Sequence, residues 1–491
     1  MQKTKIVYLF ATLMVALSLS GCFSPQRYST NIPIEEIEPH YGDLAVSGEQ
    51  LNRWWENYGD PNLSQFVKTV LEESPTLQVA YLRLLDSELQ HKQSQAGYYP
   101  SLSFSTGAGV GGQVPAGDPA VNQNYNLGLS LSYEIDIWGK VRAQSLASEL
   151  SMQSAQDSAE SAAMTLVGNV VTEWFAIQYY RERIELTRQL LELSESYYLL
   201  VEEYYRTGQS TGTDVLEQRQ QIESLRATLL DLETNIRISQ HSLQILAGGK
   251  IKPNVEGPLP AAIHVGGTPD VEKLLEMRPD VRTARRNAQK ANAQVVVALA
   301  DRLPSLRLSA SLAFRAPSIV DLFKSLIWDT ALSFAANLFD GFNKTTAIDR
   351  AKVSFLIERL NYMTTVYQAV ADVEKALLTL RLREQQLVDA QAQLNRQKEI
   401  LDVSRQYFIE GALDYNRVLS ALRSMISSSQ SELDARRNLL TAQIALFKAM
   451  GGAAWIAETT ETASQKAREM LEKLDDEENN DENNEQKTTA E

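Results

Sequence analysis

Four stretches of the chain alternate between apolar and polar positions. Tyr125, Leu127, Leu129, Leu131 and Tyr133 interleave with Asn126, Gly128, Ser130, Ser132 and Glu134. A period of two places every apolar side chain on one face of a β-strand. The same reading predicts three more strands. In the first, Leu102, Phe104, Ala108 and Val110 stand against Ser101, Ser103, Ser105, Gly107 and Gly109. In the third, Leu306, Leu308, Ala310, Leu312 and Phe314 stand against Ser305, Arg307, Ser309 and Arg315. The fourth holds Trp328, Leu332, Phe334 and Leu338, with Ser333 and Asn337 between them. Strands of about 10 residues, apolar on one side and aromatic near their ends, suit a barrel with lipid outside and water inside. Alternation alone fits a half-buried sheet of a soluble domain equally well. In lipid every strand edge must be paired, so four strands per chain imply that several chains share one barrel.

Between the strands the period becomes helical. No proline occurs from Val141 to about Thr207, and a continuous helix of that length spans roughly 100 Å at about 1.5 Å per residue. A second such span runs from Thr345 to about Ile409. Ile184, Leu191, Tyr198 and Tyr205 are spaced by seven, as are Leu387, Leu394, Leu401 and Phe408, and heptads demand partner helices. Gly208 and Gly411 are expected to end these helices. Return helices then run to Gly248-Gly249 and Gly451-Gly452, with Leu225, Leu229, Leu232 and Ile236 as an apolar seam on the first.

The chain uses one unit twice. Pro75 and Pro279, Pro100 and Pro304, and Asp136 and Asp340 stand 204 positions apart. Tyr204 and Tyr407, Gly208 and Gly411, Val215-Leu216 and Val418-Leu419, and Gly248 and Gly451 stand 203 apart. Each copy reads helix, strand, strand, long helix, turn, helix. The expected segments are 1–21 as a signal peptide, 22–60 as an N-terminal lipidated segment, 61–250 and 270–455 as the two repeats, 251–269 as a linker rich in Pro and Gly, and 456–491 as an acidic tail.

Composition changes the picture at the two ends. Lys3 and Lys5, the apolar run from Ile6 to Leu19, and Leu19-Ser20-Gly21-Cys22 have the form of a bacterial lipoprotein signal. Cys22, the only cysteine, has no partner for an intrachain disulfide, so lipidation is its expected use. Phe23 rather than Asp follows it, which favours the outer membrane. After the signal no run of about 18 uncharged apolar residues occurs, so a membrane would be crossed by strands. With 47 Lys and Arg against 62 Asp and Glu the net charge is −15. There is no basic surplus for nucleic acid, and the run from Asp475 to Glu478 reads as disordered tail.

Candidate chemistry is sparse, and no enzymatic activity or cofactor is expected. Gly107 to Gly112 satisfies G-x-G-x-x-G by position, but a loop with Pro115 and Pro119 follows where a dinucleotide site needs a helix. His40, His91, His241 and His264 lie far apart and suggest no metal site. The pairs Tyr197-Tyr198 and Tyr204-Tyr205 are expected to pack between helices. Asp214 and Glu217 follow Gly208, while Arg417 follows Gly411 with Asp414 before it. The two acids suit a helix dipole.

Several segments together resemble the TolC superfamily, in particular the outer-membrane factor lipoproteins of tripartite efflux systems. They are Trp54-Trp55 with Gly59-Asp60-Pro61 and Leu63; Ser132 to Lys140; Gly257-Pro258-Leu259-Pro260; and Leu274-Leu275 before Arg278-Pro279-Asp280-Val281. The resemblance implies a mainly α fold with a membrane β-barrel: a homotrimer with a shared twelve-stranded barrel and a periplasmic α-helical tunnel. It implies a passive conduit for drugs, toxic compounds or metal ions, without a cofactor. It works in outer-membrane lipid with a periplasmic adaptor (membrane fusion protein) and an inner-membrane pump of RND or ABC type. In such proteins the helix-tip turns, here Gly208 and Gly411, face the adaptor, and nearby carboxylates close the tunnel, which makes Asp214, Glu217, Asp414 and Arg417 the candidate gate. Type I protein secretion, or a coiled-coil lipoprotein without a pore, are the competing readings.

Overall fold

The computed structural model describes residues 52–113, 120–263, 271–413, 415–451, 465 and 467–472. In chain order, α1 is Pro61–Glu73, α2 Pro75–Gln95, β1 Ser101–Gln113, β2 Ala120–Ile135, α3 Lys140–Arg206 and α4 Gly212–Leu246. They are followed by α5 Val271–Met277, α6 Pro279–Asp301, β3 Ser305–Ala316, β4 Leu326–Ala335, α7 Asn343–Ile409 and α8 Tyr415–Ala449. The duplication read from the sequence is carried into these bounds. Helices α3 and α7 both have 67 residues, and α4 and α8 both have 35. The fourth strand ends at Ala335, short of the expected Leu338, because Asp340 and Gly341 already turn the chain toward α7. Gly341 and Phe342 both have positive φ there.

The chain folds into two compact units, and each draws on both repeats. One contains 86–154 and 284–363; the other contains 155–283, the residues preceding 86 from 52 onward, and those following 363. Long-range packing, not chain order, defines them.

The first unit contains the antiparallel sheet, ordered β1-β2-β3-β4. Its register aligns Phe104, Leu129, Leu312 and Trp328 in one row, and Ser103, Ser130, Ser311 and Asp329 in the next. Below the strands the two repeats use matching devices. Asp136 accepts from the backbone N–H of Val141 at 3.0 Å and of Arg142 at 3.1 Å, and Asp340 from that of Lys344 at 3.0 Å. Each carboxylate thereby satisfies donors that the first turn of a long helix leaves unpaired. Lys140 and Lys344, at the starts of α3 and α7, converge on the Asp301 carboxylate. Those two hydrogen bonds hold the Asp301 carboxyl below the usual carboxylate range. The Trp138 indole donates to the carbonyl of Pro304 at 2.6 Å.

The second unit holds the main helical core. Leu166, Val167, Val170, Val171, Trp174 and Ile177 form a buried stripe on α3. Trp54 stacks on Phe447 with centroids 5.0 Å apart. Asp60 accepts from the backbone N–H of Asn62 and Leu63 to cap α1, and with its second oxygen from the Trp174 indole at 2.9 Å. The Gly59-Asp60-Pro61 motif is therefore a helix start tied to the core.

Candidate functional site

Three features of the molecule bear on function: the sheet's faces and edges, the helix-tip turns, and a buried arginine. Among the described residues the apolar face of the sheet is largely uncovered, Phe104 being 64% and Trp328 71% exposed, with Phe323 packed on Phe314 at 5.4 Å near one end. The opposite face is polar. Across it Ser103 and Ser130 share a hydrogen bond at 2.7 Å, Ser311 donates to Asp329, and Arg307 lies 3.8 Å from Glu134. The outer edges of β1 and β4 have no partner strand among the described residues. A sheet apolar on one side, polar on the other and open at both edges suits a barrel closed between chains.

The tips are built twice on the same plan. After α3, Gly208 has φ 74°, its N–H donates to the Tyr205 carbonyl and that of Gln209 to Tyr204. After α7, Gly411 has φ 76°, its N–H donates to Phe408 and that of Ala412 to Tyr407. This is the left-handed helix stop in which glycine avoids a Cβ clash. At the return, Thr211 caps α4 and Asp214 answers it in a capping box. The Asp214 Oδ2 accepts from the Thr211 N–H at 2.8 Å, the Thr211 hydroxyl at 2.8 Å and the Ser210 hydroxyl at 2.9 Å. These bonds, the backbone one foremost, hold its carboxyl below the usual range. Glu217 is exposed on the same helix, and Arg417 is exposed on α8. Asp414 and Cys22 lie outside the described residues. Arg206, at the end of α3, sits beside Glu202 and Glu203 of its own helix, at 3.5 and 3.8 Å.

Of the tyrosines below the tip, Tyr197, Tyr198 and Tyr204 are half-buried as expected, whereas Tyr205 is exposed; Tyr197 and Tyr198 meet arginines that the sequence did not point to. Arg423 lies 4.6 Å over the Tyr197 ring and donates to Gln218, whose amide donates to the Ser194 carbonyl. The Tyr198 hydroxyl accepts from Arg219 at 3.2 Å. No spacing rule foretells such contacts, because they join different helices, α3 with α4 and α4 with α8.

The Arg278 motif segment proves to be a junction. Its guanidinium donates to the carbonyls of Ala369 and Ala449 and to the carboxylates of Asp280 and Asp372. Burial works most strongly against the charges of Arg278 and Asp280, yet their mutual bonds prevail: the arginine's pKa is raised and the aspartate's lowered. Among the described residues no group of His, Cys, Asp and Glu is arranged to hold a metal ion, and no helix is long and apolar enough to cross a membrane.

The model of the family described as outer membrane efflux protein matches residues 66–249 and 271–452. The chain is 28% identical over 449 residues to the probable outer membrane lipoprotein SilC of Salmonella typhimurium, covering 89% of this chain and 97% of that one. It is 26% identical over 494 residues to the antibiotic efflux pump outer membrane protein ArpC of Pseudomonas putida, covering 94% and 98%. The fold matches the crystal structure of the open state of the Neisseria gonorrhoeae MtrE outer membrane channel with a TM-score of 0.78 and 23% identity, covering 87% and 98%.

Proposed function

The chain belongs to the outer membrane efflux protein family, and from that premise we propose that it is a trimeric outer-membrane conduit through which an inner-membrane pump and a periplasmic adaptor expel small molecules or ions. The observation that carries the trimer is the open four-stranded sheet. Its apolar face needs lipid, its polar face needs water, and its two free edges need partner strands. Three copies close twelve strands, a lumen wider than the eight-stranded barrels that side chains fill. The long paired helices then form the wall of a tunnel on the periplasmic side. Relatives named for outer-membrane lipoprotein and antibiotic efflux function support small cargo over protein.

In this reading Cys22 carries the lipid anchor, and the segments at 61–250 and 270–455 are the two repeats joined by 251–269. The tip turns at Gly208 and Gly411 meet the adaptor. Asp214, Glu217, Asp414 and Arg417 line the closed tunnel end, with Asp214 serving also as a helix cap. Threefold symmetry makes each acid a ring, and such rings favour cations.

The test is to purify the full chain from membranes, determine its mass in detergent with and without heating, and record current across planar bilayers. A heat-labile trimer that conducts is the expected result. A monomer or dimer without conductance would favour a scaffolding lipoprotein and overturn the channel.

A further inference from the structure

The described residues of the four strands contain four charged side chains: Glu134, Arg307, Arg315 and Asp329. The register puts all four on the polar face. Glu134 pairs across with Arg307, Arg315 with Asn126, and Asp329 with Ser311. They stand at three heights. Strands β1 and β3 start, and β2 and β4 end, at the side where the chain joins the helices, so that side is the inner mouth. There Glu134 and Arg307 stand 3.8 Å apart and offset each other. Further out lies Asp329, in a row whose other members are serines. Arg315 lies four residues beyond Ser311 on β3, about 13 Å nearer the exterior at about 3.3 Å per residue. Past the strands, Lys324 and Asp321 of the β3–β4 connection neutralise each other at 2.6 Å.

Two unlike charges therefore remain uncompensated by each other, negative inside and positive outside, separated by more than a Debye length at 0.1 M salt, which is about 10 Å. We infer that Arg315 and Asp329 form two oppositely charged belts in the barrel lumen, which make it pass current more readily when cations move outward. The inference rests on the trimeric barrel proposed above. Under a field that drives cations outward, cations enter through the Asp329 belt and anions come inward through the Arg315 belt. Both carriers accumulate between the belts and conductance rises. The reverse field draws both away and conductance falls. Each belt concentrates its counter-ion within a low-dielectric wall, the condition under which fixed charges select ions. The class of solute favoured outward is cationic.

The experiment is a current–voltage curve of the full trimer in planar bilayers, with its orientation established by which side a protease trims the helical tips. In about 0.1 M KCl, where the Debye length of about 10 Å is shorter than the spacing of the belts, conductance should be about twofold greater with the periplasmic side positive. In 1 M KCl, where that length is about 3 Å, the asymmetry should vanish. Arg315→Gln and Asp329→Asn should each bring the ratio close to one, and shift the reversal potential in opposite directions: toward cation selectivity for the first, toward anion selectivity for the second. The exchange of both charges, Arg315→Asp with Asp329→Arg, should reverse the asymmetry. A symmetric parent channel would overturn the inference. So would asymmetry that persists in both neutral variants and at 1 M salt, and in either case the conduit itself would still stand. An assembled trimer that passes no current would overturn the channel reading instead.

Discussion

At the start of α4 the cap made by Asp214 and the gate role proposed for it can be told apart by separate substitutions. Asp214 closes the capping box with Thr211, whereas Glu217 is exposed one turn later. Glu217→Ala is expected to raise single-channel conductance and lower cation selectivity while amide hydrogen exchange around Thr211 stays as in the parent. Asp214→Ala should do the same to the current and also speed that exchange, because Ser210 and Thr211 lose their acceptor. Unaltered current in both variants would leave the acids as helix-start residues and remove them from the gate. The exchange effect also has a pH dependence. Since the folded Asp214 carboxyl titrates below its unfolded value of about 3.9, its contribution is full above that value and is lost as pH falls through the folded pKa. The difference between Asp214→Ala and parent should therefore close in strong acid.

Elements here are legible to the extent that their periodicity is local. The strands could be placed face by face because apolar and polar residues alternate without a break in β2 from Tyr125 to Glu134. The rows linking Phe104, Leu129, Leu312 and Trp328 then follow from pairing that keeps like faces together. A charge at mid-bilayer on the lipid face of a barrel costs about 2–4 kcal/mol, and little on the lumen side. Leu129→Arg is expected to deplete the assembled protein in outer-membrane fractions, while Ser130→Arg, on the neighbouring residue, leaves it near the parent amount. Equal loss from both would mean that the faces are assigned wrongly. Element ends were less legible. Leu338 continues the apolar alternation but lies beyond β4, since consecutive positive φ angles at Gly341 and Phe342 belong to a turn that hydropathy does not record.

For the whole molecule, the two compact units cut across the repeats, so neither repeat is a domain by itself. What attaches the assembly to its membrane is proposed to be both the barrel and the acyl chain on Cys22. One acyl chain alone gives only marginal, reversible binding. Cys22→Ser should therefore abolish incorporation of labelled fatty acid and slow signal removal, while part of the protein still reaches the outer membrane as trimer. Labelling equal to the parent would exclude Cys22 as the acceptor.

Sequence by itself determined the strand faces, the two long helices with their glycine stops, and the duplication with its offsets of 203 and 204. Each of these depends on residues close along the chain, where steric preference and hydrophobic period act directly, or on one pattern written twice. Tertiary structure alone decided which side chains hold the helices together. Arg278 finds two carbonyls and two carboxylates, Asp60 joins Trp174, and Lys140 and Lys344 meet on Asp301. A buried charge survives only where several partners converge on it. That convergence comes from packing between segments as many as 171 residues apart, which no local pattern encodes.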